Sequence, residues 1–368
     1  MFPIHAKRIR QQPDGIHIQY LPSCLEQVLF PNRLCMFEQR LRHLSLFIFV
    51  FSFLPISTYA SILAEQVPGN LNTRGIPDTL NGRTGTFRYN PTLITKLPVA
   101  VKETSGLVFF DGMLWTINDS GNPAELYQID TVNGKVLHTV IVSNTSNTDW
   151  ESLTQDSLYI YIGDFGNNLG NRTDLRILKI AKNDLKNIVS GTVQAGIIQF
   201  RYPDQKDFNP ALNKTNFDCE AFFLYNDSLQ LFSKNWVDRK TRHYTLPASP
   251  GIFVARFSEV LESDGLITDA SINRQGNIVL LGYKNTGGKF WDCFCWLLSG
   301  YDKSTFFGGS KTRIELGSAL HVGQSEAIIL NDDNTAWLSS ESIQASILFL
   351  PAKLFALDFN SFFIKQDK

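Results

Sequence analysis

At 368 residues, 43% hydrophobic and 12% aromatic, the chain can bury a large core, and one all-β domain behind a leader suits it better than two domains. A formal charge of -1 supplies no argument for a nucleic-acid partner or for an anionic membrane surface. Phe, Tyr, Trp, Ile, Val and Thr are plentiful, as strands require, and no long amphipathic helical run follows residue 70.

The leader comes first. Met36 to Leu44 carries Arg40, Arg42 and His43, Ser45 to Ile56 is apolar, and Ser57-Thr58-Tyr59-Ala60 ends in small residues. This is the order of a secretory signal at 36–60 with cleavage after Ala60, and the apolar run is shorter than the roughly 20 residues a spanning helix needs. A start at Met36 would leave 1–35 untranslated; the alternative is a signal-anchor with a basic tail at Lys7, Arg8 and Arg10. The expected product is exported, periplasmic, at the cell surface or extracellular, and free of the membrane once cleaved. Cys24 and Cys35 fall in the leader, which leaves Cys219, Cys293 and Cys295 as small buried thiols without the His partners of a zinc site. Residues 61–87, rich in Asn, Gly, Pro and Thr, are a linker or arm; 88–362 is one domain and 363–368 a tail.

Within the domain, residues 92–101 form a strand ahead of a first group at Gly106–Phe110, Met113–Asn118, Glu125–Asp130 and Val136–Val142, with Asn133-Gly134 as a hairpin turn. A second group has Leu158–Ile162, Leu175–Ile180 and Gly196–Tyr202, followed by a loop insertion at Pro203–Asn216. A third has Ser228–Lys234, Arg242–Leu246 and Phe253–Val260. A fourth has Gly276–Tyr283, Phe290–Leu298 and Thr312–Leu316. A fifth has Asn334–Glu341 and then Ala345–Leu350 or Lys353–Asp358.

Each group opens on a similar phrase, and the phrases align on Ser105, Glu151, Glu220, Asp269 and Glu326 with spacings of 46, 69, 49 and 57 residues. Short strands at periods near 40 to 50 residues signal a β-propeller of four-stranded blades. Five blades are expected, the last completed by residues 92–101; the 69-residue interval leaves six blades as the alternative.

In such a blade the start of the first strand and the end of the second emerge on one face. That gathers Glu103, Ser105, Asp149, Glu151, Asp218, Glu220, Asp269 and Glu326 with Asn118, Asp119, Asp164, Asn167, Asn168, Lys234, Tyr283 and Glu341 at one mouth of the central channel. Oxygen ligands without convergent His or Cys favour Ca²⁺, with Mg²⁺ as the alternative. The metal candidates are Asp149, Glu151 and Asp164 from one blade, then Asp218 and Glu220, which repeat the D-x-E spacing, and Asp269. Glu103, Ser105, Asn118, Asp119, Asn167, Asn168, Lys234, Tyr283, Glu326 and Glu341 are candidates for binding a small or extended ligand, and Glu151, Glu220 and Lys234 for catalysis. Turn duty competes with this, because acidic and Asn side chains at strand ends also cap backbone N–H groups.

No G-x-S-x-G elbow, H-E-x-x-H, P-loop or dinucleotide fingerprint is present. Glu103-Thr104-Ser105-Gly106-Leu107, Leu114 to Gly121, Asp149-Trp150-Glu151 and Tyr161 to Asn168 resemble secreted bacterial propellers akin to the SdiA-regulated family and the esterase-like/phytase-like propellers. The resemblance, over about residues 90–358, implies an exported propeller and Ca²⁺ but transfers no activity, since Lys234 and Arg172 offer few phosphate ligands. Three functions are expected in turn: a monomeric binding propeller with a divalent cation at its acidic mouth, a metal-assisted hydrolase of an ester, lactone or phosphoester, and an interaction scaffold without a metal.

Overall fold

The computed structural model describes residues 87–363 apart from 187, 189, 288, 289, 304, 346 and 347. The leader with its signal-like segment, the linker up to residue 86 and the end of the tail lie outside the described residues. Five sheets follow one another in chain order, each with four antiparallel strands, and form a five-bladed β-propeller. Blade 1 is Thr104–Phe110, Met113–Asn118, Glu125–Ile129 and Val136–Val142; blade 2 is Trp150–Gln155, Tyr159–Asp164, Arg176–Ala181 and Gly196–Arg201. Blade 3 is Asp218–Tyr225, Ser228–Lys234, Thr241–Pro247 and Arg256–Leu261; blade 4 is Leu266–Ile272, Ile278–Lys284, Asp292–Ser299 and Ser310–Ser318. Blade 5 is Gln324–Leu330, Thr335–Glu341 and Lys353–Asp358, and Thr92–Lys96 from the start of the domain supplies its outer strand. Pairing first with last strands closes the ring without a covalent link.

The inner two strands of each blade are buried on both faces, so they read as near-continuous apolar runs such as Ile278–Leu281, instead of an alternation. Their side chains meet those of the next blade. Trp115, Trp150, Ile160 and Leu178 fill the seam of blades 1 and 2, and Phe165, Phe222, Leu231 and Tyr244 that of blades 2 and 3. Phe223, Phe232, Phe294 and Phe306 fill the third seam, Leu281, Leu338 and Phe355 the fourth, and Leu107, Leu114, Ala327 and Leu354 the fifth. Burying one such side chain contributes about 2 kcal/mol, so the seams carry the stability of the ring.

The expected five blades are present; the six-bladed alternative falls, one strand divides in two, and one choice between two strands is made. The 69-residue interval holds no sixth blade, because Arg201 to Asp218 runs without a strand. Phe253–Val260 is two strands: Arg256–Leu261 is the outer strand of blade 3, while Gly251–Val254 pairs in parallel with Gly196–Arg201 of blade 2. Ile343–Ala345 and Leu348–Leu350 form a separate hairpin, and Lys353–Asp358 takes the place in blade 5. Gly251–Val254 is one of three fifth strands. Ser190–Val193, from the blade 2 segment, lies parallel to the outer strand of blade 1, and Phe87–Arg88 lies parallel to that of blade 4.

Candidate functional site

Every inner strand carries a β-bulge at the same place. The register skips Ser105 in blade 1, Glu151 in blade 2, Glu220 in blade 3, Thr268 in blade 4 and Glu326 in blade 5. A bulge inserts one unpaired residue and re-aims its side chain. Here the five bulged residues form a ring at the mouth, and three of them are glutamates. The blade 4 member is Thr268; Asp269, aligned with the others from sequence, stands one residue later and takes a different direction.

The same phasing sorts the second strands. Counting outward from the bulge, Asp119, Lys234, Tyr283 and Glu341 occupy one position, while Asn118 and Asp164 precede it and so project to the other side. Asn118 is a brace whose amide accepts from the Glu103 N–H (3.3 Å) and donates to the Ala100 carbonyl (2.8 Å). Asp164, fully buried, accepts from Arg172 (3.0 Å), from Arg176 (2.8 Å) and from the Asp149 backbone N–H (3.1 Å). It is not gathered with Asp149 and Glu151.

Asp119 takes that place instead. Asp119, Asp149 and Glu151 each offer a carboxylate oxygen, and the three oxygens lie within 4.8 Å of one another. Among the described residues no N–H or O–H donates to the carboxylates of Asp149 or Glu151, although Glu151 is only 7% exposed. Burial, and then the Asp119 charge, push both carboxyls well above the usual carboxylate range; for Glu151 the Glu220 charge adds to this. Gly166 backs onto the pair: a Cβ there would collide with Glu151 Oε1 and Asp149 Oδ2. A side chain there would push the two carboxylate ends out of their present places.

The other carboxylates are engaged. Asp218 accepts from the Asn167 N–H (2.6 Å) and from Trp236 Nε1 (2.7 Å). Glu220 is ion-paired with Lys234, whose ammonium also lies 5.1 Å and 5.0 Å from the ring centres of Trp236 and Tyr283. Burial works to lower the Lys234 ammonium, but Glu220, Tyr283, Glu326 and Asp218 outweigh it and hold it well above its ordinary value. Across the mouth, the Gln324 amide donates to Glu326 (2.6 Å) and reaches Glu341 (3.4 Å). Burial pushes the Glu326 carboxyl up to about 7, and burial with the Glu326 charge raises Glu341.

Ser105 donates to the Trp150 carbonyl of the next blade (2.8 Å), and Asn167 accepts from the Arg172 N–H and donates to the Phe217 carbonyl. Both therefore serve the frame. Asn168 keeps its side-chain oxygen buried and without a hydrogen bond, while Glu103, on the rim, meets Lys102 (3.3 Å) and Asn122. Arg176, Gln324 and Gly166 were not expected from sequence, and Arg172, weighed there only as a phosphate ligand, serves Asp164. A cavity of about 1030 Å³ opens at the opposite end of the channel, lined by Phe109, Thr154, Tyr225, Ser271 and Leu330, and none of the mouth carboxylates borders it.

Neither a family model nor a curated protein matches the chain. Similar solved structures include the alpha-L-arabinofuranosidase PaAbf62A from Podospora anserina with cellotriose (9% identity, 74% of this chain and 98% of that one, TM-score 0.41). They include the catalytic domain of the Coprinopsis cinerea GH62 alpha-L-arabinofuranosidase (11% identity, 74% and 97%, TM-score 0.41). A glucose dehydrogenase-type putative oxidoreductase from Thermus thermophilus is also similar (9% identity, 73% and 99%, TM-score 0.39). No residue role is transferred from any of them.

Proposed function

We propose that this chain is an exported propeller that binds a ligand through a divalent cation, Ca²⁺ ahead of Mg²⁺, held by Asp119, Asp149 and Glu151. One observation carries the reading. Of the carboxylates at the mouth, Asp164 and Asp218 are saturated by donors, whereas the half-buried Asp149 and the buried Glu151 receive none among the described residues and converge with Asp119. Like charges gathered out of water need a proton or a cation between them. Three hard oxygens suit Ca²⁺, which takes six to eight such ligands, so several positions stay open for water and for a ligand's own oxygens. The basic side chains nearby are bonded elsewhere, Arg172 to Asp164 and Asp174, and Lys234 to Glu220; the Arg172 charge offsets only part of the repulsion on Asp149. The motif resemblance to the SdiA-regulated and phytase-like propellers brings the same ion, and the signal-like segment at 36–60 the export.

A second reading is favoured by Glu326. A carboxyl pushed up to about 7 at the same mouth can pass a proton to a leaving group while a metal activates water, as hydrolysis of an ester, lactone or phosphoester requires. Thermal melts in chelator, with Ca²⁺ or Mg²⁺ titrated back, test the first reading. A cation that binds only the folded state adds about 2.7 kcal/mol at a hundredfold excess over its dissociation constant. The expected result is a rise in melting temperature that Glu151→Gln removes; no rise with either ion would sink the cation. Metal-dependent turnover lost in Glu326→Gln would then select the hydrolase.

A further inference from the structure

Asp269 follows the blade 4 bulge. The residues in the same place in the other blades are Gly106, Ser152, Ala221 and Ala327, all small. Four small residues leave a space on the propeller axis, and the Asp269 side chain fills it at 1% exposure. Its Oδ1 accepts from Ser152 Oγ (2.6 Å) and from the Ala270 N–H (2.8 Å); its Oδ2 accepts from the Ile328 N–H (2.6 Å). Blade 2 is not a neighbour of blade 4 in the ring, so the bond to Ser152 crosses the axis. Ser152 is the residue after the bulged Glu151, and Ile328 is two residues after the bulged Glu326.

We infer that Asp269 is a positioning residue for the mouth, an axial carboxylate that holds the bulges of blades 2 and 5 so that Glu151 and Glu326 face each other's side of the opening. The same side chain stands between the mouth and the cavity at the far end, whose blade 4 lining begins at Ala270. Its two oxygens are taken by donors from blades 2, 4 and 5, which leaves it no part in holding an ion. The placement is independent of any ligand; only its consequence for a cation rests on the function proposed above.

The experiment cuts the legs one at a time in the full chain. Ser152→Ala removes the blade 2 leg, and Asp269→Ala removes both; alanine already occupies the equivalent position in blades 3 and 5, so the strand accepts it. Amide hydrogen exchange is expected to run about tenfold faster at 150–154 in Ser152→Ala, with 324–330 unchanged, and faster at both segments in Asp269→Ala. The Ca²⁺ dissociation constant is expected to rise severalfold in both variants. Unchanged exchange at the two segments, or equal acceleration in all five blades, would overturn the inference. So would local acceleration with Ca²⁺ affinity intact, since that describes a strut that positions nothing. If the unaltered protein binds no Ca²⁺, the cation reading fails by itself, and the leg-specific exchange pattern alone decides for or against the clamp.

Discussion

Glu151 and Asp164 leave paired strands of one blade, yet one faces carboxylates and the other two arginines. Opposite outcomes on substitution follow. Asp164→Asn leaves Arg172 and Arg176 short of a buried counter-charge and is expected to cost about 3 kcal/mol in urea denaturation, with or without Ca²⁺. Glu151→Gln relieves repulsion, so in chelator its melting temperature should equal or exceed that of the unaltered protein. The pH dependence has a definite sign. Glu326 binds its proton more tightly folded, at about 7, than at its ordinary 4.5, so the cation-free protein should lose stability as pH rises between those values. Urea midpoints at pH 4.5, 6 and 7.5 in chelator check this; a flat or rising series contradicts it. At this scale the sequence showed the acids but not their partners. Asp119 was legible as a site residue, and its tie to Asp149 and Glu151 depends on counting both strands from the bulge. Arg172 and Arg176 sit in a loop and a third strand, where no repeat position marked them.

The unit that repeats is a bulged hairpin, and its spacing is tight. A Cβ on Gly106 would stand 2.6 Å from the Leu153 backbone nitrogen of blade 2, so Gly106→Ala must push two inner strands apart. An overpacking cost of about 2 kcal/mol is expected by chemical denaturation. Gly166→Ala presses instead on two side-chain carboxylate ends, and the expected loss is of the Ca²⁺ shift in the melt with the chelator baseline nearly kept. The strands themselves were readable because each blade repeats an acidic phrase, a short apolar run and a turn signal; Met113–Asn118 and Val136–Val142 needed no revision. The alignment of blade 4 slipped by one because Thr268 and Asp269 both suit a strand start, and an acidic residue looked more like Glu151 than a threonine does. A one-residue slip changes which way a strand side chain points, and it moved Asp269 from ligand to axis.

Closure was legible for a simple reason: the last group lacked an outer strand, and residues 92–101 had no other partner. Its energetic weight can be measured. Removing everything before Pro98 deletes Thr92–Lys96, uncovers the edge of Lys353–Asp358 and opens the fifth seam. Aggregation or a broad, early melt is expected by light scattering and calorimetry, against a sharp transition for a chain beginning at Phe87. The fifth strands were hidden, since parallel pairing between distant segments leaves no local pattern. They follow one rule. Ser190–Val193, Gly251–Val254 and Phe87–Arg88 each lie just before the outer strand of one blade and pair with the outer strand of the blade before it. Where blade 4 has no such strand, Phe306 and Phe307 lap onto blade 3 in its stead. Blades 2 to 5 are shingled in this way, each roofing the rim of its predecessor. A duplication or swap that followed blade boundaries would tear away its neighbour's cover, so the interchangeable part in this molecule begins and ends in the middle of a sheet.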